Sequence, residues 1–233
     1  MDTVPLCLSL KIHLQNPFNN PSSIGKNKTR ARDFGIDTAK AKKWGKKEYS
    51  SLKHQLKQEE KNHIKEYTKN ASPLNSYLRE NDGELGSDKI KNKKIEIIDN
   101  ALKKIKLKES IIVYRGTDGI IFGEEFQKTL MNGNKVNQNV AKKIMKQFEG
   151  TALLERGYLS TSIALANQFI ARPVLLELKV PKNSEACYVD PISYYPGQYE
   201  LLIARNTQYH IDDIRVIANG GSSKLKVTAH LMI

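Results

Sequence analysis

Hydrophobic positions recur at two different spacings along this chain. From Asp37 to Lys108 they fall at helical intervals with charged residues between them: Ala41, Trp44 and Tyr49; Ile64, Tyr67 and Ala71; Ile90, Ile97, Ala101, Leu102 and Ile105. That pattern predicts several short amphipathic helices packed on a core. From Ser110 onward it changes to short β-branched and aromatic runs, "IIVYRG", "GYLSTS", "PVLLELKV", "YVDP", "YELLIA", "IDDIRVI" and "KLKVTAHLMI", which read as strands. Two helical stretches interrupt them, near Glu124 to Met131 and Asn137 to Phe148. Helices followed by strands, without an internal repeat, argue for an α+β domain rather than alternating parallel units.

The ends of this pattern suggest the domain limits. Residues 15–32, "QNPFNNPSSIGKNKTRAR", are rich in Asn, Pro, Ser and basic groups, a composition that buries too little apolar surface to order itself. Residues 1–32 are therefore expected to be a flexible extension. The domain runs over 33–233, with a helical lobe at about 37–108 and a strand-rich core at about 110–233. The 233 residues are 39% hydrophobic, and no apolar run approaches the roughly eighteen residues of a membrane span. One soluble domain without a membrane span is expected.

Charge and cysteine content narrow the classes further. The net charge is +13, carried mostly by lysines of the first half. It suits an anionic partner such as nucleic acid, acidic membrane or a phosphate-bearing ligand, or else a solvated lysine-rich surface. Aromatics for base stacking do not cluster in these runs. Two cysteines, Cys7 and Cys187, argue against a disulfide framework. The opening "MDTVPLCLSLKIHL" makes a poor secretion signal: Asp2 stands in its leading segment, Lys11 and His13 soon follow, and no small-x-small cleavage site is present.

Several residues could carry chemistry. Arg115 ends the strand "IIVYRG", where a guanidinium followed by Gly116 can meet a phosphate, or simply serve a surface ion pair. In "YLSTS", Ser160 and Ser162 share one side of a strand, so both hydroxyls could reach a carboxylate on a neighbour; an edge strand with polar outward residues reads equally well. Phe169 and Arg172, in "NQFIARPV", offer an aromatic face and a cation for a planar ring and a phosphate, or core filler and a surface charge. In "SYYPGQYELLI", Gln198 and Glu200 lie two apart after a Pro-Gly turn, on a segment expected to be extended, so both side chains point to the same side and face the same ligand complex.

Taken in order, these pieces resemble the Rho-inactivating mono-ADP-ribosyltransferase exoenzymes of clostridia and their relatives, the C-three-like group of single-domain bacterial toxins. The likeness runs from about Phe34 to the C-terminus through "AKKWG", "YTKNAS", "LNSYLR", "YRG", "EFQKTL", "GYLSTS", "QFIARPV", "YVDPISYYPGQYELLIARN" and "YHIDDIRV". Two positions depart from the group's usual pattern, Ala171 where glycine is common and Thr117 where an acidic residue is.

The resemblance implies a fold of two packed, mainly antiparallel sheets with a helical N-terminal lobe. It also implies transfer of ADP-ribose from NAD to an asparagine of a Rho-family small GTPase, with NAD hydrolysis as a side activity. By motif, Glu200 stabilises the oxocarbenium-like transition state, Ser160 orients Glu200, and Arg115 holds an NAD phosphate. Asn75 and Arg79 grip the pyrophosphate, Phe169 and Arg172 close over nicotinamide and phosphate, and Tyr195 and Gln198 meet the acceptor protein. NAD is expected as substrate without a metal, since the five histidines show no ligand spacing in the sequence. The acting unit is expected to be a monomer without a nucleic-acid partner, secreted and working in the host cytosol. Two rivals stand beside this reading: the same fold acting on another protein or on nucleic acid, and a catalytically inactive NAD- or GTPase-binding module.

Overall fold

The computed structural model describes residues 31–165 and 171–232. Cys7 and Phe169 lie outside them. Four helices come first, α1 (Thr38–Leu52), α2 (Gln58–Lys69), α3 (Ser72–Glu80) and α4 (Lys89–Lys103). Their starts have local causes. The Asp37 carboxylate accepts the Lys40 N–H at α1, and Asp88 accepts those of Ile90 and Lys91 at α4, satisfying donors that a helix end leaves unpaired. At α2, Glu60 reaches back to the Lys57 N–H at 2.7 Å.

The strands follow: β1 (Ile111–Thr117), the short pair β2 (Met131–Asn132) and β3 (Lys135–Val136), β4 (Ala152–Glu155), β5 (Leu159–Ser162), β6 (Val174–Val180), β7 (Ala186–Tyr188), β8 (Glu200–Ile203), β9 (Thr207–Asn219) and β10 (Ser222–Leu231). Helix α5 (Glu124–Thr129) precedes β2, and α6 (Gln138–Phe148) precedes β4. The interrupting helices thus stand where the apolar spacing puts them. Strand β4 has no counterpart among the runs singled out in the sequence; its four residues form a short edge beside β9.

The two expected layers are joined. Eight strands form one ladder in the order β4-β9-β10-β6-β1-β5-β8-β7, antiparallel except for the β6–β10 pair. Its division comes between β1 and β5, which meet at the single pair Tyr114↔Ser162. One buried cluster takes Val113 and Leu178 from the five-strand side and Leu159, Leu201 and Ile203 from the three-strand side, together with Ile144 and Phe148 of α6. A second cluster packs Ile64, Tyr67, Leu78, Ile98 and Leu102 of the helical lobe against Tyr158, Cys187 and Leu202. The three-strand segment is therefore covered on both faces, which is why all four residues of β8 are buried.

This placement corrects the expected face of α4. Its buried stripe is Ile95, Ile98, Ala101 and Leu102, whereas Ile90 is 74% exposed and Ile97 is half-buried. The helix offers isoleucines on more than one face, and packing chose among them.

Helix α1 reaches the three-strand segment through Gly45, which is buried and sits where a Cβ would overlap the Tyr188 ring. That ring is itself buried and held edge-on by Trp44 at 6.1 Å. Gly45→Ala should improve helix propensity yet lower stability by about 1–3 kcal/mol through overpacking. Calorimetry should show a melting temperature several degrees below the parent; an unchanged or higher value would rule out close packing of α1 on Tyr188.

Candidate active site

The division of the sheet brings chemistry-bearing residues from β1, β5, β8 and the helical lobe together. Leu201 and Ile203 face the first cluster and Leu202 the second. By the two-residue period of a strand, Glu200 points with Leu202 toward the helices. Ser160 is registered opposite Leu202, which makes Glu200 its diagonal neighbour. Ser160 Oγ donates to Glu200 Oε1 at 2.8 Å, and Ser193 Oγ donates to Oε2 at 3.3 Å. Each carboxylate oxygen thus takes one hydroxyl and keeps further acceptor capacity for a ligand. Arg115 Nη1 donates to the Ser160 carbonyl at 2.8 Å, fixing β5 from the other side.

Ser162 does not join its neighbour on the carboxylate, contrary to the sequence expectation. Its Oγ lies 2.8 Å from the carbonyl oxygens of both Ala164 and Gln198. Although Ser162 is registered opposite Glu200, its hydroxyl ties the turn before β8 rather than the site. The bland edge-strand reading of "LSTS" fails as well, because β5 lies between β1 and β8.

Electrostatics single out Glu200. It is 7% exposed, and burial pushes its carboxyl above the usual carboxylate range; Ser160, Ser193 and Arg115 pull the other way, while Asp190 adds to the rise. Beside it, burial pushes the Tyr67 phenol up to about 12 against the pull of Ser160, Arg115 and Asn75. The Tyr67 hydroxyl accepts from Asn75 Nδ2 at 3.1 Å and donates to the Tyr158 carbonyl at 3.4 Å. Asn75 is buried, with its amide closed on the Tyr158 backbone: Oδ1 accepts the N–H at 3.0 Å and Nδ2 donates to the carbonyl at 3.1 Å.

One turn along α3, Arg79 forms a two-pronged pair with Glu155 at the end of β4, Nε to Oε1 and Nη2 to Oε2, both at 2.9 Å. Glu155 Oε1 also accepts the Gly157 N–H at 2.8 Å. Burial alone would raise the Glu155 carboxyl, but Arg79, Arg115 and that N–H outweigh it and hold it low. Its stabilising share is therefore present above the ordinary carboxylate pKa near 4.3. It is lost as pH falls through the lowered value. Glu155→Ala strands a guanidinium that is 20% exposed, which should cost about 3 kcal/mol. The melting temperature should fall by roughly 6–12 °C, and a fall below about 2 °C would show the pair to be idle.

The remaining residues named from sequence are distributed around this centre. Gly116 follows Arg115 on β1 and is registered against Leu175. Arg172 is exposed and lines a pocket of about 340 Å³ with Met131, Asn134 and Ser222, none of which belongs to the Glu200 cluster. Tyr195 is 47% exposed, its ring edge-on to Tyr194 at 4.9 Å. Gln198 is half-exposed, and its side chain does not serve as the turn's cap. Asp190 does that, its Oδ1 accepting the N–H groups of Gly197 at 3.0 Å and Tyr199 at 2.7 Å.

Between Gln198 and Glu200, Tyr199 has φ +55°. The backbone there bends instead of running extended, so the two-residue alternation used to align the two side chains does not apply. Sequence reasoning also passed over Tyr67, Glu155, Tyr158, Asp190 and Ser193 as site residues. Ser193 and Asp190 lie inside the quoted "DPIS" run and Tyr67 inside "YTKNAS"; Glu155 had no local signal.

Known proteins share this fold. Plx2a, an ADP-ribosyltransferase toxin from Paenibacillus larvae, is 65% identical with a TM-score of 0.84 over 86% of this chain and 99% of that one. The structure of C3stau2 from S. aureus, solved with NAD, is 28% identical with a TM-score of 0.77 over 88% of this chain and 99% of that one. In sequence, a mono-ADP-ribosyltransferase C3 from Clostridium botulinum D phage is 41% identical over 199 residues, covering 84% of this chain and 77% of that protein. With this fold, these relatives and a carboxylate centred between β5 and β8, the chain is an NAD-dependent mono-ADP-ribosyltransferase of the toxin type. It belongs to the ADP-ribosyltransferase exoenzyme family, which matches residues 41–233. NAD is its substrate, and the family implicates no metal in the reaction. Among the described residues, no helix is long and apolar enough to cross a membrane.

Proposed function

We propose that the enzyme transfers ADP-ribose from NAD to an asparagine side chain of a Rho-family small GTPase, with NAD hydrolysis when no acceptor is present. The observation that carries this reading is the Glu200 carboxylate, buried, held by Ser160 and Ser193, and set beside Arg115. As the bond between nicotinamide and ribose breaks, positive charge grows on the ribose. A fixed carboxylate in a low-dielectric site stabilises that charge more than it stabilises the ground state.

In this reading Arg115 and Gly116 receive an NAD phosphate at the end of β1. Arg79 exchanges the Glu155 carboxylate for pyrophosphate oxygens, one two-pronged partner for another, and Asn75 keeps α3 seated on the Tyr158 backbone at the same place. Phe169 and Arg172 are assigned to nicotinamide and phosphate by the resemblance, although Arg172 lines a pocket apart from the Glu200 cluster. Tyr195 and Gln198, presented by the turn that Asp190 caps, meet the acceptor. A carboxamide offers both a donor and an acceptor, the complement of an asparagine side chain. The enzyme is secreted and works in the host cytosol.

Radiolabelled NAD incubated with the enzyme and a host-cell lysate, followed by peptide mapping of the labelled band, tests this directly. One small-GTPase band labelled on asparagine is the expected result. Label in a different protein, in nucleic acid or on another side chain would overturn the acceptor assignment.

A further inference from the structure

Away from the reaction centre, strands β9 and β10 bring together His210, Asp212 and His230, whose ligand atoms all lie within 4.8 Å of one another. We infer that these three residues form a surface site for a divalent transition-metal ion of the zinc type, separate from the NAD chemistry.

The backbone makes this cluster. His210 and His230 are registered directly opposite each other in the antiparallel pair, and the ladder slips between Thr228 and Ala229, so that Thr228 pairs with Asp213 while Ala229 pairs with Ile211. Asp212 is the extra residue of that β-bulge, and a bulge re-aims the side chain it carries. Burial records the slip, with Asp212 and Asp213 both exposed between buried Ile211 and Ile214. The Asp212 carboxylate is thereby aimed between the two imidazoles. His210 Nδ1 lies 3.0 Å from Asp212 Oδ1, and His230 Nδ1 lies 2.8 Å from Oδ1 and 3.0 Å from Oδ2. The rings lean together at 5.1 Å between centroids.

Two imidazole nitrogens converging on one carboxylate make the donor set of a borderline cation. Zinc bonds of about 2.0–2.1 Å in a tetrahedron require donors about 3.3 Å apart. The nitrogen–oxygen spacings of 2.8–3.0 Å need to open by only a few tenths of an ångström, and every pair of ligand atoms lies within 4.8 Å. A ring that binds the metal through Nδ1 carries its single proton on Nε2. Two imidazoles and one carboxylate suit Zn²⁺, Ni²⁺ or Cu²⁺ and disfavour Mg²⁺ and Ca²⁺, which want oxygen ligands. Three protein ligands leave the fourth position to solvent. The ion would staple β9 to β10 across the bulge, and the expected consequence is greater thermal stability rather than a change in catalysis.

The test is a Zn²⁺ titration of the full chain against a chromogenic chelator, alongside His210→Ala, His230→Ala and the milder His230→Gln, each checked for native circular dichroism. The expected result is one ion per chain in the wild type, weakened at least about tenfold in every histidine variant, with a zinc-dependent rise in melting temperature that the variants lack. A wild-type chain without stoichiometric zinc overturns the proposal. So does binding that survives in the histidine variants or that disappears with Cys7→Ser.

Discussion

Glu200→Gln should lower both NAD hydrolysis and ADP-ribosyl transfer by roughly 10²- to 10³-fold, the scale seen when one preorganised electrostatic partner of a transition state is removed. The amide preserves shape: its oxygen can accept from one of the two serine hydroxyls that now reach Oε1 and Oε2 while its NH2 donates to the other, so most of the loss reports the negative charge. NAD affinity should stay within about tenfold, because ground-state binding rests on the cationic side chains. Unchanged hydrolysis in this variant would remove Glu200 from the mechanism.

The same substitution should act on stability in the opposite direction. Burial raises the Glu200 carboxyl above the ordinary range, so the native state binds its proton more tightly than the unfolded chain does. Ionised Glu200 is therefore a cost at neutral pH, and that cost disappears on acidification below the unfolded carboxylate pKa near 4.3. Glu200→Gln should melt at the same temperature as the wild type or higher near pH 7, with the difference closing as pH falls. Wild-type hydrolysis should decline on acidification at a pH above that value, since the proposed mechanism needs the ionised form. A variant less stable than wild type at neutral pH would show that the carboxylate is held favourably rather than at a cost.

Gln198→Glu should keep NAD hydrolysis within about tenfold but lose transfer to the proposed GTPase acceptor, and it should gain weak transfer to small guanidino compounds. Among the described residues this amide has no internal job: the turn is capped by Asp190 and tied through Ser162 to the Gln198 carbonyl. A carboxylate accepts only, which matches a guanidinium and mismatches a carboxamide. Added negative charge near Asp190 and Glu200 should also move the acid limb of the hydrolysis profile upward. Both activities measured on the one variant decide the matter. Retained GTPase modification would mean that Gln198 does not choose the acceptor, and hydrolysis lost in parallel would mean that the turn had collapsed.

Much of the molecule could be read along the chain because its causes are local. Caps such as Asp37 and Asp88, the helical spacing of the first half and the β-branched runs of the second are set by neighbours a few residues away, and they place the elements of an α+β domain. Motifs could be read for the same reason: Ser160, Glu200 and Arg115 stand in short runs whose order survives without knowledge of the fold. Faces and partners could not. Ile95 and Ile98 displaced Ile90 and Ile97 because only packing selects among the apolar faces of α4. Ser162 left the carboxylate for the turn because a positive φ at Tyr199 bends the chain just before β8. Arg79 found Glu155 across 76 residues, and His210 met His230 because the β9–β10 register and its bulge set them opposite. Composition, element type and catalytic residue types follow from interactions within a few residues, whereas which side chains touch depends on strand register and on burial of the three-strand segment between two cores, and those are properties of the closed tertiary structure alone.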